Sequence, residues 1–432
     1  MNKKFISCED LQGSVYFGPD ALRHCCQRFF VKGKMQGDVE IFKVNSNDDL
    51  SVKKILNEKK KIIDNLNNKI PTACDGCPKL ERKNWKKDIK INKISIEIHS
   101  KCNARCSYCS EMYYGGLNPK YDFIKFYEEL SDNKIFEEDV SITWGGGEPV
   151  LLKNFESLLK KISNFSSYPT HKDIRIYSNS FIYNDTLHKY LNEGKIILTT
   201  SVDAGTYETF KKVRGVKKGF KEVFKNLEKY SENPRAKVII KYILTSENHE
   251  KDEIDSFVKL INEHNLSRCN FEISSDYKIE KLNLNSANNI IYFYNKLQNI
   301  KAKSVLLDDH VRKRIKNALL LDKKISEDKL LELSSLNPDE KIIIWGTGGY
   351  AKATIKNSMI LNDKRIAFFV DEKQFSKKNN DKFYNKEIKT PEDALNSDKR
   401  IFIASSTYWQ VIHEKILGLG IDNQRIIKQL II

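Results

Sequence analysis

The sequence predicts an α/β chain in three parts: an open, partial barrel of six β–α units, a small cysteine-rich module ahead of it, and a shorter α/β unit behind it. Three observations predict this. Short β-branched runs alternate with amphipathic stretches, two such runs end in glycine-rich turns, and eight of the nine cysteines lie at or before residue 109. Alternation of this kind makes a parallel sheet, because parallel strands need a crossover helix. At about 100–200 residues per domain, 432 residues allow two to four domains. Hydrophobic residues at 40% and charged ones at 31% exclude a mainly disordered or collagen-like chain. No run reaches the roughly 18 apolar residues of a spanning helix. Phe5-Ile6 falls short of the apolar core of about 7–15 residues in a secretory leader, so a cytoplasmic protein without a membrane partner is expected.

The first module is expected over residues 1–89. Its cysteines are Cys8, the adjacent Cys25-Cys26, and Cys74-Asp75-Gly76-Cys77. Cytosolic thiols stay reduced, so such clustering points to metal or cluster ligation. Cys8, Cys26, Cys74 and Cys77 would complete an iron–sulfur cluster, with Cys25 the alternative to Cys26. A four-thiolate zinc site is the competing reading. The net charge of +16 is spread along the chain and concentrates only between Lys79 and Lys93. No nucleic-acid-binding signature accompanies it, so a nucleic-acid partner is not expected.

The barrel is expected over 90–281, with strands near 94–98, 140–144, 174–177, 196–202, 238–243 and 270–274. The first leads into Cys102-Asn103-Ala104-Arg105-Cys106-Ser107-Tyr108-Cys109. Three thiolates on one tight loop can hold three corners of a [4Fe–4S] cube whose usual complement is four. The fourth iron is left open to a small molecule. The second strand leads into Gly145-Gly146-Gly147-Glu148-Pro149, where glycines let backbone approach a ligand and Glu148 offers an acceptor for an ammonium. The third and fourth end in Ser178-Asn179-Ser180 and Ser201-Val202-Asp203, small polar groups at the carboxyl ends of strands where ligands bind in parallel folds.

In cysteine spacing, in Tyr108 before the third cysteine, and in the glycine-glycine-glutamate turn downstream, this segment resembles the radical S-adenosylmethionine (SAM) superfamily. The resemblance implies that Cys102, Cys106 and Cys109 hold the catalytic cluster. It implies that Gly146, Gly147, Glu148, Ser178, Asn179, Ser201, Asp203 and Arg214 surround SAM, with backbone around Tyr108 and Leu244 at the adenine. It further implies reductive cleavage of SAM to a 5′-deoxyadenosyl radical and an electron donor such as flavodoxin or ferredoxin. The early cysteines resemble SPASM or twitch auxiliary-cluster modules, which normally follow the barrel.

Residues 282–340 are expected to form a helical connector. Over 341–432, a strand, the turn Gly346-Thr347-Gly348-Gly349-Tyr350-Ala351, a helix and a second strand ending at Asp371 form a dinucleotide-binding fingerprint. This part resembles the small Rossmann-like domains attached to capsular-sugar enzymes and some methyltransferases. Gly346, Gly348, Gly349 and Asp371 are its candidate nucleotide residues. His99 is expected beside the cluster without ligating it, and Cys269 as a buried small hydrophobe.

The expected function is hydrogen abstraction from a carbohydrate, nucleotide-linked or free, or from a peptide, as an oxidoreductase-type reaction. Two competing classes are a non-enzymatic iron–sulfur or zinc scaffold with a docking tail, and a radical RNA-modifying enzyme. The sequence does not set the oligomeric state.

Overall fold

The computed structural model describes residues 4–26, 28–86, 88–109, 115–163, 170–321, 327–362, 364–372, 382–405 and 409–427. The chain divides into two compact units, residues 1–202 with 210–239, and residues 203–209 with 240–432.

The first unit is built on a sheet whose central strands are parallel. Besides the small hairpin of Phe29–Val31 with Lys34–Gln36, its strands in chain order are β1 (Phe5–Ser7), β2 (Ser14–Phe17), β3 (Ala21–Arg23), β4 (Glu40–Lys43), β5 (Glu81–Lys83), β6 (Ile91–Ile96), β7 (Phe136–Trp144), β8 (Thr170–Tyr177) and β9 (Ile197–Ser201). The sheet order is β9-β8-β7-β6-β2-β3-β4, while β1 and β5 form a separate antiparallel ribbon. β6 is parallel to β7 (Ile94 opposite Ile142) and to β2 (Tyr16 opposite Ser95). The residues ahead of 90 thus extend the same sheet rather than standing apart, with β3 antiparallel to β2 and β4 antiparallel to β3. Hydrophobic runs of three or four residues explain why this continuation was not visible as part of the barrel: they are too short for a periodic signal.

Helices cover this sheet with the faces their spacing dictates. In α1 (Phe123–Asp132), Asp122 caps the start by accepting from Ile124 N and Lys125 N, and Phe123, Ile124, Phe126, Tyr127 and Leu130 are buried. Phe17 packs edge-on against Phe123 at 5.1 Å, and Trp144 lies 5.1 Å from Phe155 of α2 (Phe155–Ser163). α3 (Phe220–Tyr230) opens with Glu222 reaching back to Gly219 N and buries Val223, Phe224, Leu227 and Tyr230.

The second unit contains most of β10 (Lys237–Leu244), then β11 (Asn270–Ser275) and β12 (Ser304–Leu307). β12 pairs parallel with β11, so the expected all-helical connector holds a strand. Four apolar-rich residues between α4 (Leu284–Asn299) and α5 (Asp309–Leu321) are read as helix when only the 3.6-residue spacing around them is counted. Farther on, β13 (Ile342–Trp345) lies at the centre of a five-stranded sheet with β14 (Ile366–Val370) and the strand Ile401–Ile403 as parallel neighbours. Ile343, Trp345, Val370, Ile401 and Ile416 form its core. Among the described residues no helix is long and apolar enough to cross a membrane.

Candidate active site

The cysteine loop leaves the carboxyl end of β6 and is gripped by backbone from two sides. On one side Gly145 N donates to Ile96 O (2.9 Å), Gly147 N to His99 O (3.0 Å) and Glu148 N to Lys101 O (2.7 Å). On the other, Arg105 N donates to Arg214 O and Ser107 N to Val213 O, both at 2.9 Å. These contacts explain two glycines. A Cβ on Gly147 would stand 2.0 Å from Lys101 O, and one on Gly215 would stand 2.1 Å from Arg105 O. Gly215 also has φ +66° and Gly146 φ +90°. At Gly147 the missing side chain also lets two stretches of protein backbone meet, which fixes the loop.

Within the loop, Cys109 N donates to Cys106 O (3.0 Å), and Arg105 Nη1 donates to Cys102 O (2.8 Å) and Ala104 O (2.7 Å). Cys106 is buried, and Cys102 and Cys109 are half-buried. Burial pushes the Cys102 thiol above its ordinary value, so it keeps its proton until a metal displaces it. Among the described residues no three His, Cys, Asp or Glu side chains converge as a single-ion site. Three thiolates that each bind a different iron need no such convergence.

Glu148 is 2% exposed and joins three segments. Its Oε1 accepts from Ser178 Oγ (2.7 Å) and its Oε2 from Asn179 N (2.6 Å). Asn179 Nδ2 donates to Oδ1 of Asn103, which lies inside the cysteine loop (2.5 Å). His99 is fully buried and bonds through Nε2 to Glu148 O (3.0 Å). Burial pushes the Glu148 carboxyl up to about 7, against hydrogen bonds from Asn179 N, Ser178 Oγ and Val150 N and the charge of Arg214, which favour its anion. No basic side chain forms an ion pair with it among the described residues. A buried carboxylate in this condition fits an incoming ammonium, as on the methionine end of SAM.

Arg214 is 4% exposed, but its guanidinium is turned to the Tyr108 hydroxyl, with Nη1 donating. The charge also lies over the Phe181 ring at 5.7 Å. Arg214 thus braces the cysteine loop through both its carbonyl and its side chain. Ser201 ends β9 and is half-buried. Asp203 and Leu244 belong to the second unit, where Asp203 Oδ1 accepts from Ile243 N (2.7 Å) and Asn248 Nδ2 donates to Asp203 O (2.9 Å). This use of Asp203 in fixing β10 is structural. Asn103 was read only as spacing within the cysteine motif, and nothing in the sequence marks it as the link to Asn179.

The early cysteines come from three separated segments of the first unit. Ser7 pairs with Glu81, which places Cys8 beside the end of the Cys74–Cys77 turn. The Cys74 thiol has Cys25, Cys8 and Cys77 as electrostatic neighbours, and Cys25 is likewise a neighbour of Cys8. Cys26, preferred over Cys25 on the sequence, instead has its sulfur against Tyr16, whose hydroxyl donates to it. Cys25 and Cys26 follow β3 and face different neighbours, Cys25 the other cysteines and Cys26 Tyr16. The basic stretch after Cys77 is partly paired: Lys83 to Glu9 (2.8 Å), Lys86 to Glu137 (2.6 Å) and Lys93 to Asp10 (3.5 Å).

In the last sheet, Gly346 has φ +112°, and a Cβ on Gly348 or Gly349 would meet nothing within 4 Å. Asp371 Oδ2 accepts from Thr347 N (3.0 Å) and Thr347 Oγ1 (2.6 Å), so the acid ties down the glycine turn. Cys269 is 2% exposed, as a small hydrophobe would be.

Residues 96–260 match the model of the Radical SAM superfamily. The chain carries a radical SAM domain. That superfamily works with a [4Fe–4S] cluster and SAM, and the residues around Cys102–Cys109 and Glu148 fit both. A second model, described as C2185-like, N-terminal, matches residues 338–427. Among curated relatives, GTP 3′,8-cyclase of Clostridium botulinum (strain Okra / Type B1) is 28% identical over 184 residues, 41% of this chain and 55% of that protein. The molybdenum cofactor biosynthesis protein moc-5 of Caenorhabditis elegans is 28% identical over 177 residues, 40% of this chain and 28% of that protein. The chain thus spans about half the length of the cyclases it matches. Among solved structures, Streptococcus suis SuiB bound to precursor peptide SuiA aligns with TM-score 0.42 at 15% identity, covering 66% of this chain and 60% of that one. Native anSMEcpe with bound AdoMet and Kp18Cys peptide aligns with TM-score 0.39 at 17% identity, covering 54% and 66%. The radical SAM match and the cyclase relatives indicate an enzyme.

Proposed function

We propose that the protein reductively cleaves SAM and uses the resulting radical to abstract hydrogen from a nucleotide-linked sugar or related nucleotide. The observation that carries the first half is the single network joining the three-cysteine loop, through Asn103 and Asn179, to the buried carboxylate of Glu148. When bound, the cluster and SAM supply an electron and a 5′-deoxyadenosyl radical. Cys102, Cys106 and Cys109 hold the cluster. Glu148 takes the ammonium, with Ser178 and Asn179 N–H fixing its two oxygens so that no reorganisation is needed on binding. Arg214, Val213 and the Gly145–Glu148 backbone keep the loop in one shape.

The substrate class rests on two supports. The cyclases among the curated relatives are named for GTP, and the glycine turn at Gly346–Gly349 leaves open space at a helix start that favours phosphate. Peptide is the second reading, kept because an auxiliary cluster at the early cysteines would suit oxidation of a peptide as well as of a small molecule such as a carbohydrate. Domains are proposed as barrel and N-terminal strands together, then the connector, then the 341–432 unit. A flavodoxin or ferredoxin is the proposed donor, in the cytoplasm.

The test is anaerobic incubation with SAM and dithionite. Deoxyadenosine is expected from the reconstituted protein and not from the Cys102→Ala/Cys106→Ala/Cys109→Ala variant. Equal amounts from both would overturn the assignment of the loop. For substrate, deoxyadenosine formation should rise with a nucleotide or nucleotide sugar; a rise with peptides alone would replace the first reading by the second.

A further inference from the structure

The early cysteines lie at the other end of the strands from the catalytic loop. Cys8 precedes the short helix Glu9–Gly13 that enters β2, and the amino ends of β2 and β6 are in register, Ser14 opposite Lys93. The catalytic loop leaves the carboxyl end of β6 at Ile96, three residues beyond Lys93, or roughly 10 Å along a strand. A group held by the early cysteines is therefore away from the mouth where SAM and substrate meet.

Two buried groups surround these cysteines without an explanation in the packing. Lys59 sits in the long helix Val52–Asn67 and is fully buried. Among the described residues its ammonium donates only to two backbone carbonyls, Asp10 O (3.1 Å) and Leu11 O (3.3 Å), and its electrostatic neighbours are Asp10, Cys8 and Cys25. A lysine that is wholly inside needs compensating negative charge, and one nearby aspartate is little to set against the cost of burial. His24 is 1% exposed, both its ring nitrogens lack a hydrogen-bond partner among the described residues, and it neighbours Lys59. Orphaned buried nitrogens are rare unless something else takes the hydrogen bond.

We propose that Cys8, Cys25, Cys74 and Cys77 ligate a second [4Fe–4S] cluster, with Lys59 as its buried counter-charge and His24 as a hydrogen-bond donor to its sulfur. Four thiolates around the cube's +2 core leave a net negative group, which matches the ammonium of Lys59 and gives His24 an acceptor. On assembly each thiol releases its proton to solvent as its sulfur binds iron. Lys59 acts as a positioning charge: it favours the reduced cluster, which carries one more negative charge than the oxidised one. All four corners being filled by protein, and the site standing at the amino end of the strands, the cluster does not bind substrate. This inference does not need the radical reading, because the catalytic loop can be removed from the measurement.

The experiment uses the full chain carrying Cys102→Ala, Cys106→Ala and Cys109→Ala, reconstituted anaerobically with iron and sulfide. About four irons and four sulfides per chain should remain. Adding Cys25→Ser should remove them, whereas adding Cys26→Ser should not. Zinc without sulfide, no metal, or loss with Cys26→Ser and retention with Cys25→Ser would each overturn the ligand set. For Lys59, a dithionite titration followed by electron paramagnetic resonance reads the cluster potential. Lys59→Met should make it more negative at unchanged iron content, and Lys59→Arg should restore it. An unchanged potential in Lys59→Met overturns the counter-charge, and if that variant loses iron, a Lys59→Arg potential equal to the parent's supports it while a shifted one opposes it.

Discussion

The two cysteine groups of the first unit are built in opposite ways. Cys102, Cys106 and Cys109 come from eight consecutive residues, and a loop of that length brings three thiolates together almost regardless of what surrounds it. Cys8, Cys25, Cys74 and Cys77 come from three segments, brought together by the β1–β5 ribbon and by β3. The difference teaches what each site depends on. The contiguous loop needs its shape enforced, and backbone contacts from Gly147 and Gly215 enforce it. The assembled group needs its charge balanced, and Lys59 is placed to do so.

The largest effect expected is on that enforcement. Gly147→Ala drives a methyl group against Lys101 O, which neither backbone can yield to cheaply, and should cost at least about 3 kcal/mol in thermal or denaturant unfolding. Where the variant folds, catalytic-loop iron should be lost while iron at the early cysteines stays. Loss of both together would mean that the two groups are not independent.

Next in size is Glu148. Glu148→Gln removes the anion but keeps the shape, and should weaken SAM binding by about 10- to 150-fold, the worth of a hydrogen bond to a charged group. Its pH dependence has a definite sign. The folded carboxyl stands at about 7, above its unfolded value, so its contribution to stability is full at pH below that unfolded value and is lost as pH rises through about 7. SAM-free protein should therefore lose stability between about pH 5 and 7, with a flatter profile in Glu148→Gln. SAM binding should tighten over the same range, as the anion forms. Unfolding curves and calorimetric titrations at several pH values check both.

Smaller effects separate side chain from backbone in the brace. Tyr108→Phe removes one hydrogen bond from the buried Arg214 guanidinium and should cost about 1.5 kcal/mol, with the cluster retained. Smallest of all, Cys26→Ser should leave stability within about 0.5 kcal/mol and metal content unchanged.

The same contrast explains what could be read from the sequence. The strand–turn pattern of the parallel sheet and the motifs that carry Cys102–Cys109, Glu148, Ser178 and Asn179 are local, and local signals survive in a linear chain. The choice between Cys25 and Cys26 depends on which way β3 leaves its last residue, and that is set by pairing with β2 and β4. Lys59 was invisible because a lysine in a lysine-rich helix reads as surface; only packing shows that it is inside. Position alone marks Asp371 and Arg214 as candidate ligand contacts; the structure adds a protein partner for each, Thr347 and Tyr108. β12 was hidden between two helices by its length.

The measurement that tests the account most directly is deoxyadenosine formation from SAM under dithionite, run on reconstituted protein, on the Cys102/Cys106/Cys109 alanine variant and on Cys25→Ser, with iron counted in each. The account predicts deoxyadenosine with about eight irons in the first, none with about four irons in the second, and in the third about four irons with deoxyadenosine still formed. Deoxyadenosine from the loop variant, or none from the reconstituted parent, would contradict it.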